Sequence, residues 1–291
     1  MDRYAIFVDA GYFFAAGAQA AFGSQTPRKQ ISVKSSSAML TALNVKAAEA
    51  TGNRPLLRTY WYDAMPGPRL SLEQTSLAML PGVKLRLGAL NSAGEQKGVD
   101  SLIVTDIIEL ARNGAIADAV LVTGDEDLRI AVQIAQSFGV RVHILAAGDP
   151  SKNVSPSLQM EADSVTTLDG EWFLIHLELT PAPSKAPMIV AIQASAAPSK
   201  AIGTSGADEI TVAAKVIVDG ILDGIQPEHL TLLIQHFITQ TSIPPEYDRR
   251  LIAQVSATLS GRRFSGEETR HIRGQFVRAV KARADSNESK K

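Results

Sequence analysis

The stretch "DAVLVTGDEDLRIAVQIAQSFGVRVHILA", residues 118–146, contains the alternation that decides the fold. Apolar runs at 118–123 and 140–146 predict two buried strands, and the segment between them, 126–137, repeats apolar residues at helical spacing. Gly124 and Gly139 stand at the boundaries between these segments. Strands that alternate with helices at such short spacing predict a parallel sheet that is covered by helices on both faces.

The same alternation extends in both directions along the chain. Further strands are predicted at 3–8, 55–64, 83–90 and 164–169. Helices are predicted up to about residue 21, over 37–51, up to about residue 80 and over 99–112, with polar loops at 24–35 and 91–98. The fold class is therefore predicted to be α/β, and a further small unit is expected over 151–177.

The composition of the chain changes near residue 179. Residues 179–207 are rich in Pro, Ala and Ser, which is typical of a linker. Over 208–285 apolar residues recur at three and four positions, which predicts a compact bundle of roughly four helices. The predicted organisation is an α/β domain over 1–178, a linker over 179–207, and a smaller helical domain over 208–285 as a candidate for binding RNA or a protein partner.

Four aspartates are predicted to meet at one edge of the sheet. Asp9 follows the first strand, Asp125 and Asp127 follow the strand at 118–123, and Asp100 opens the helix at 99–112. Ligands of open α/β sheets bind at the carboxyl ends of the strands. Carboxylates gathered there repel one another unless a divalent cation lies among them, and oxygen ligands without Cys or paired His suit Mg²⁺ or Mn²⁺. These four residues are therefore the predicted metal ligands and catalytic residues.

Each of these aspartates also has a structural interpretation. Asp125, Asp127 and Asp100 suit the first turn of a helix, where a carboxylate caps N–H groups or faces the positive end of the helix dipole, and Asp9 suits a turn. The functional interpretation gains weight because three separate segments deliver acids to the same edge.

A metal site of this kind favours a phosphate ester as substrate, because these ions keep coordination positions open for phosphate oxygens. Lys97 is placed to contact that phosphate as a point charge, and Thr123 to offer its hydroxyl nearby. Asp106 and Asp63 are weaker candidates. Asp106 lies about 240° around its helix from Asp100, and Asp63 ends the strand at 55–64.

The C-terminal helices are biased towards basic residues. Between residues 249 and 283 nine Arg or Lys stand against two acids, Glu267 and Glu268. A basic surface can hold a phosphate backbone, and the predicted RNA contacts are Arg262, Arg263, Arg270 and Arg273. An ordinary solvated helix face is the alternative interpretation.

Composition excludes several classes of protein. The 291 residues carry a net charge of −1, which indicates neither a nucleic acid nor a membrane as partner, and the absence of cysteine excludes disulfides and thiolate chemistry. The first apolar run is too short for a signal peptide because it ends at Asp9. No stretch approaches the ~20 apolar residues that span a bilayer. GxSxG, P-loop and GxGxxG signatures are absent. A cytoplasmic protein is expected, with homo-oligomerisation left open.

The stretches "YAIFVDAGYFF" (4–14), "KGVDSLIVTDIIELA" (97–111), "VLVTGDEDL" (120–128) and "EADSVTTLD" (161–169) resemble the NYN domain, a branch of the PIN-like metal-dependent nucleases. The resemblance covers about residues 1–170. It implies a Rossmann-like sheet with an acidic pocket that binds Mg²⁺ or Mn²⁺ and, in many members, cuts RNA. Carried over to this chain, the acidic set is Asp9, Asp100, Asp125 and Asp127.

Two positions depart from the family pattern. The family usually has an asparagine three residues after the first aspartate, where this chain has Tyr12, and a phenol does not reproduce the paired donor and acceptor of a carboxamide. Tyr12 therefore stands at a predicted substrate-binding position with altered chemistry. Leu128 replaces the usual phenylalanine.

Three functions are compatible with these observations. The first is a metal-dependent ribonuclease that cuts single-stranded RNA internally, with the four aspartates holding Mg²⁺ or Mn²⁺. The second is an RNA-binding or scaffolding protein that keeps the fold and has lost the reaction, which the Tyr12 departure favours. The third is a metal-dependent phosphatase that acts on small nucleotides.

Overall fold

The computed structural model describes residues 2–65, 69–90, 96–179 and 206–288. The chain divides into two compact units, Met1–Ala182 and Pro183–Lys291. The predicted linker lies almost wholly outside the described residues. Within the part of the chain that the structure describes, no helix has both the length and the hydropathy that crossing a membrane requires.

The first unit contains nine strands among its described residues. They are β1 (Tyr4–Asp9), β2 (Ile31–Val33), β3 (Leu56–Met65), β4 (Val83–Leu90), β5 (Gln96–Lys97), β6 (Asp118–Val122), β7 (Arg141–Ala147), β8 (Ser164–Leu168) and β9 (Leu177–Leu179). Its helices are α1 (Ala10–Phe22), α2 (Ser36–Ala50), α3 (Leu72–Ala78), α4 (Val99–Arg112), α5 (Arg129–Ser137), α6 (Pro150–Asn153), α7 (Pro156–Glu161) and α8 (Gly170–His176).

The main sheet has the order β5-β4-β3-β1-β6-β7-β8. Six of these strands are parallel, and the two-residue β5 pairs antiparallel with β4 at the edge. The chain leaves β1 towards β3 and β4 and later returns to β6 on the other side of β1. The order of strands therefore reverses between β1 and β6, which is where open α/β sheets bind their ligands.

Alternate residues of each buried strand supply two separate cores, because successive side chains of a strand point to opposite faces of the sheet. Ile6, Val8 and Trp61 pack on one face with Phe13 of α1 and Phe173 of α8. The other face carries the side chains of α4, α5 and α7, and it buries Phe7, Tyr62, Leu121, Ile103 and Val132. The strands read as continuous apolar runs because both of their faces are covered.

The second unit is formed by four helices over its described residues: α9 (Gly206–Asp223), α10 (Pro227–Thr239), α11 (Pro245–Thr258) and α12 (Gly266–Glu288). Their buried apolar residues recur every three or four positions, as in Ile272, Phe276 and Val280 of α12. This spacing gives each helix one apolar stripe, and the stripes pack together.

Two segments differ from the sequence-based prediction. The polar segment 24–35 was expected to be a loop, but it contains β2, which pairs antiparallel with β9 in a separate small sheet. The segment 151–177 was expected to be a separate small unit, but its predicted strand at 164–169 is β8 of the main sheet, with α6 and α7 before it and α8 after it.

Candidate active site

The centre of the candidate site is Asp9 at the carboxyl end of β1. Its carboxylate caps α1 by accepting a hydrogen bond from the Tyr12 N–H at 3.2 Å, and the residue as a whole is 9 % exposed. Burial raises the pKa of Asp9 to about 6, the neighbouring Asp100 and Asp125 carboxylates add to the increase, and the hydrogen bond from Tyr12 opposes it. The residue that caps α1 is therefore also electrostatically coupled to two other segments.

Asp100 reaches the same place from the first turn of α4. The helix starts after Gly98, whose φ of 80° is in the left-handed region that glycine adopts without strain. Although the Asp100 side chain is exposed, partial loss of hydration raises its pKa, and the Asp125 and Asp127 carboxylates raise it further. Asp100 thus interacts electrostatically with Asp9, Asp125 and Asp127, and Asp9 also interacts with Asp125.

Asp125 and Asp127 lie in the turn that follows β6. Oδ1 of Asp125 accepts a hydrogen bond from the Asp127 N–H at 3.0 Å and caps a single 3₁₀ turn, Glu126–Leu128. The structural interpretation of Asp125 as a cap is therefore correct, although capping uses only one of its oxygens. Both aspartates are exposed, whereas Glu126 between them bonds to Arg129, Ser155 and Ser157 instead.

The turn after β6 is held by backbone packing and by Thr123. Thr123 is buried, and its hydroxyl accepts a hydrogen bond from the Asp125 N–H at 3.3 Å, so it orients the turn. A Cβ on Gly124 would overlap the Asn153 carbonyl oxygen and would lie 2.6 Å from Cε2 of Tyr12. Glycine is required here because two other segments approach the backbone closely.

Tyr12 connects α1 to the end of β7. Its hydroxyl accepts a hydrogen bond from the Ala147 N–H at 3.0 Å, and burial raises its pKa to about 12, with Asp9 adding to the increase. The side chain is therefore neutral at physiological pH. It lies beside the acidic edge, and its hydroxyl already has a backbone partner.

Three other predicted residues lie in different surroundings. Asp106 is buried, and its carboxylate accepts from Nε and Nη2 of Arg86 at 3.0 Å each and from the Tyr62 hydroxyl at 2.8 Å. Asp63 is also buried and accepts from Nε2 of Gln74 at 2.9 Å. Lys97 lies in β5, and its side chain is outside the described residues.

The chemistry of the four aspartates fits a divalent cation, because carboxylate oxygens are the ligands that Mg²⁺ and Mn²⁺ prefer. Besides burial, which acts most strongly, neighbouring carboxylates raise the pKa of Asp9 and of Asp100, and a cation would relieve this charge repulsion. Among the described residues, however, no group of three or more His, Asp or Glu side chains is arranged so that it could already hold a metal ion.

The predicted RNA contacts in the second unit fall into two classes. Arg262 pairs with Glu268 at 2.5 Å, and Arg273 donates two hydrogen bonds to Asp248 at 2.7 and 2.6 Å. Arg263 and Arg270 are exposed and have no acidic partner within the described residues. The basic bias of the sequence therefore includes residues that stabilise the bundle.

The sequence profile of the NYN domain matches residues 3–169. The chain belongs to the NYN domain family. NYN domains fall within the PIN-like nuclease superfamily, whose members are generally nucleases and typically use a divalent metal ion. The matched residues contain all four aspartates of the acidic edge.

The chain is similar to the uncharacterized protein y4oD of Sinorhizobium fredii, with 39 % sequence identity over 223 residues. The aligned residues cover 74 % of this chain and 100 % of y4oD. Among solved structures, it is similar to a Vibrio parahaemolyticus protein of unknown function (21 % identity, TM-score 0.39, 58 % of this chain and 93 % of that one). An isochorismatase from Pseudomonas putida gives 12 % identity and a TM-score of 0.25 over 58 % of this chain and 89 % of that one. At these TM-scores neither structure supports an argument about function.

Sequence reasoning missed a pocket beside the acidic edge of the NYN domain. It is lined in part by Gln19, Gln25 and Asn153, which are separated in the chain and follow no motif. Nothing in the spacing of these residues indicates that they meet, because their proximity depends on how the loop after α1 folds back.

Proposed function

We propose that the protein is a metal-dependent ribonuclease that cuts single-stranded RNA internally. The observation that carries the proposal is that Asp9, Asp100 and Asp125, from three separate segments, interact electrostatically. Besides burial, which acts most strongly, the Asp100 and Asp125 carboxylates raise the pKa of Asp9, and the Asp125 carboxylate raises the pKa of Asp100. Asp9 and Asp125 lie at the carboxyl ends of β1 and β6, between which the strand order reverses. Within the described residues, none of the three forms an ion pair with an Arg or Lys side chain.

In this proposal Asp9, Asp100, Asp125 and Asp127 hold Mg²⁺ or Mn²⁺. The ion would activate a water and stabilise the negative charge that develops on the phosphate. Asp100, Asp125 and Asp127 have exposed side chains, so they can change rotamer to meet an ion without repacking the core. Asp9 is held in place by the Tyr12 N–H, and Thr123 orients the turn that presents Asp125.

The second unit would guide RNA through the cations that have no acidic partner among the described residues. Two of the predicted RNA contacts, Arg263 and Arg270, are exposed cations of this kind. Arg278 and Lys281 are further examples. Arg270, Arg278 and Lys281 lie within about 80° of arc around α12, so they present one basic face. Arg262 and Arg273 are assigned instead to bundle stability.

A second candidate function is RNA binding without cleavage. Two observations favour it: the Tyr12 hydroxyl is bound to the Ala147 N–H, and no metal-holding group is already formed among the described residues. Under this alternative the acidic edge would survive as part of the fold, and the basic face of α12 would provide the function.

The experiment that tests the proposal compares two substitutions in the full-length chain. Asp125→Asn removes a proposed metal ligand while keeping an N-cap, because asparagine caps as well as aspartate. Asp169→Asn is the matched control, since Asp169 also follows a parallel strand of the sheet and caps the next helix through the Trp172 N–H at 2.8 Å.

We expect the wild type and the Asp169→Asn variant to cut single-stranded RNA with Mn²⁺ or Mg²⁺ and to stop in EDTA. Asp125→Asn should retain its thermal unfolding transition and lose at least 100-fold in rate, on the order of what the loss of one charge-stabilising group costs. Undiminished cleavage by Asp125→Asn would reject the proposed site. RNA binding by wild type without any cleavage in either metal would favour the second candidate, and cleavage of mononucleotides alone would indicate a phosphatase.

A further inference from the structure

A pocket of about 580 Å³ lies against the outer face of α1. Tyr12, Ala16 and Gln19 of α1 form one wall, Gln25 and Pro27 of the following loop form another, and Asn153 of α6 also lines it. This volume lies within the range of about 300–1,000 Å³ that is usual for small-ligand sites.

The lining of the pocket is neutral and has unused hydrogen-bonding capacity. Among the described residues that line it, none has a charged side chain. The side-chain amides of Gln19 and Gln25 are exposed and make no hydrogen bond with any described residue. Each amide offers two donors and one acceptor oxygen, while Ala16 and Pro27 offer apolar surface. This combination suits a flat, neutral ring whose edge carries both donors and acceptors.

The pocket adjoins the acidic edge through Tyr12. The Tyr12 N–H bonds to Asp9, and its ring lies against Gly124, the residue before Asp125. Asn153 is fixed at the same place, since its Nδ2 donates to the Ala147 carbonyl at 2.7 Å and the Tyr12 hydroxyl accepts from the Ala147 N–H. A ligand in the pocket would therefore lie next to the proposed cleavage site.

A neighbouring cavity of about 120 Å³ suits a ligand less well. Its charged lining residues, Arg28 and Asp63, already have partners. Arg28 pairs with Glu73, donates to the Ile31 carbonyl at 2.8 Å and stacks over Phe14 at 3.5 Å, and Asp63 accepts from Gln74. The larger pocket has the free polar groups.

We propose that the pocket of Gln19, Gln25 and Asn153 binds one nucleobase of the RNA strand beside the cleaved phosphodiester, and that it prefers adenine. This inference rests on the proposed function only in taking RNA as the ligand. Single-stranded RNA is recognised through bases that are splayed out and hydrogen-bonded along their edges. In the major groove of a duplex, a carboxamide typically pairs with adenine through one donor and one acceptor, whereas guanine is read by Arg or Lys and cytosine by Asp or Glu. Arg, Lys, Asp and Glu are absent from the described lining of the pocket, and the proposal takes over the adenine preference from this pairing.

The test measures RNA affinity without cleavage, so that it does not depend on the reaction. The full-length Asp125→Asn chain in EDTA is titrated with labelled oligo(A), oligo(C) and oligo(U) of equal length. Gln19→Leu with Gln25→Leu removes the two amides at nearly constant volume, and Ala15→Leu narrows the pocket from an exposed position that lines it. Gln240→Leu, at an exposed glutamine of the second unit, is the matched control. Thermal unfolding of every variant establishes that it is folded.

We expect oligo(A) to bind at least about tenfold more tightly than oligo(U), a ratio that corresponds to one good amide–base pair. The double glutamine variant should reduce this ratio to near one, Ala15→Leu should weaken oligo(A) binding, and Gln240→Leu should leave the ratio unchanged. Equal affinities for all three oligomers, or a ratio that survives the double variant, would overturn the proposal. If the wild type never cuts RNA but the adenine preference and its loss are observed, the pocket stands and the ribonuclease assignment fails.

Discussion

Asp9 stabilises the fold in one respect and destabilises it in another. As the cap of α1 it satisfies a backbone N–H, but as a buried carboxylate beside Asp100 and Asp125 it carries a charge in an unfavourable place. Residues at functional sites often combine such opposing effects, because a site that attracts a cation must hold repelling charges in its absence.

This conflict predicts the pH dependence of stability. The pKa of Asp9 is raised from 3.8 to about 6, so the folded chain holds the proton more tightly than the unfolded chain. The contribution of the protonated Asp9 carboxyl group to the free energy of unfolding is fully present below pH 3.8 and is lost as the pH rises through about 6. Asp9→Asn still caps α1 and should therefore be more stable than the wild type at pH 7.5 without metal, by up to about 3 kcal/mol.

Urea unfolding at pH 4.5 and pH 7.5 in EDTA measures this difference. The advantage of Asp9→Asn should be small at pH 4.5 and large at pH 7.5, and added Mn²⁺ should stabilise only the wild type. An equal advantage at both pH values would contradict the assigned cause.

Asp118 provides the opposite case of a buried acid that has partners. It is wholly buried at the start of β6 and pairs with Arg54, Arg141 and His143 at 3.0, 2.8 and 3.0 Å. Asp118→Ala should reduce the free energy of unfolding by about 3–5 kcal/mol, since it leaves these partners without their anion. Arg54 also pairs with Asp2, whose side chain is 79 % exposed. Asp2→Ala should therefore reduce the free energy of unfolding by less than about 1 kcal/mol. Chemical denaturation of both variants tests the contrast, and similar losses would contradict it.

The close packing of α1 against α8 depends on glycine. A Cβ on Gly17 would overlap the ring of Phe173, which is completely buried and also contacts Phe13 with ring centroids 5.2 Å apart. Because a buried ring of this size has nowhere to move, α8 would have to shift away from α1.

Gly17→Ala should therefore lower the free energy of unfolding by about 1–3 kcal/mol, although alanine is the better helix former. Gly220→Ala is the matched control in α9, where an added Cβ would meet nothing within 4 Å, and it should be neutral or stabilising by up to about 1 kcal/mol. Thermal unfolding of the two variants measures the effect. A stabilising Gly17→Ala would show that α8 adapts freely.

The elements that could be predicted from sequence are those whose apolar pattern is strong. The strand at 83–90 and the helix at 99–112 have the predicted bounds, and β1, β3, β6 and β7 lie within one residue of prediction at either end. In contrast, β2 has three residues, and its partner β9 lies far away in the chain. No local pattern specifies such a pairing, because it is stabilised only after the rest of the unit has formed.

The candidate site was predictable where residues follow strands or open helices. Asp9, Asp125 and Asp127 lie at the carboxyl ends of parallel strands and Asp100 opens a helix, as predicted, and Asp100 interacts electrostatically with the other three. Their role as metal ligands stays a prediction. The roles of Arg262 and Arg273 were not predictable, since their partners Glu268 and Asp248 are identified only by the packing of the helices. Whether a cation is free or paired is a property of tertiary structure.

In the second unit, some basic side chains pair with an acid and others have no acidic partner among the described residues. This difference gives a prediction for RNA binding by the full chain. Arg270→Gln combined with Arg278→Gln should weaken binding to all RNA sequences and reduce the slope of log affinity against log salt by about 1.4, because each of the two lost phosphate contacts contributes about 0.7 on a single strand. Arg273→Gln should lower the melting temperature through loss of the Asp248 pair and leave the salt slope nearly unchanged. Affinity titrations from 50 to 200 mM salt test this, and equal slopes for all variants would contradict the assigned basic face.

The central position of β1 has a consequence for biosynthesis. The strand emerges from the ribosome more than a hundred residues before its neighbour β6. At typical translation speeds the nascent chain waits on the order of ten seconds with one edge of β1 unpaired. The acidic turn after β6 follows immediately, so the nascent chain acquires its complete set of four carboxylates only as that exposed edge is closed.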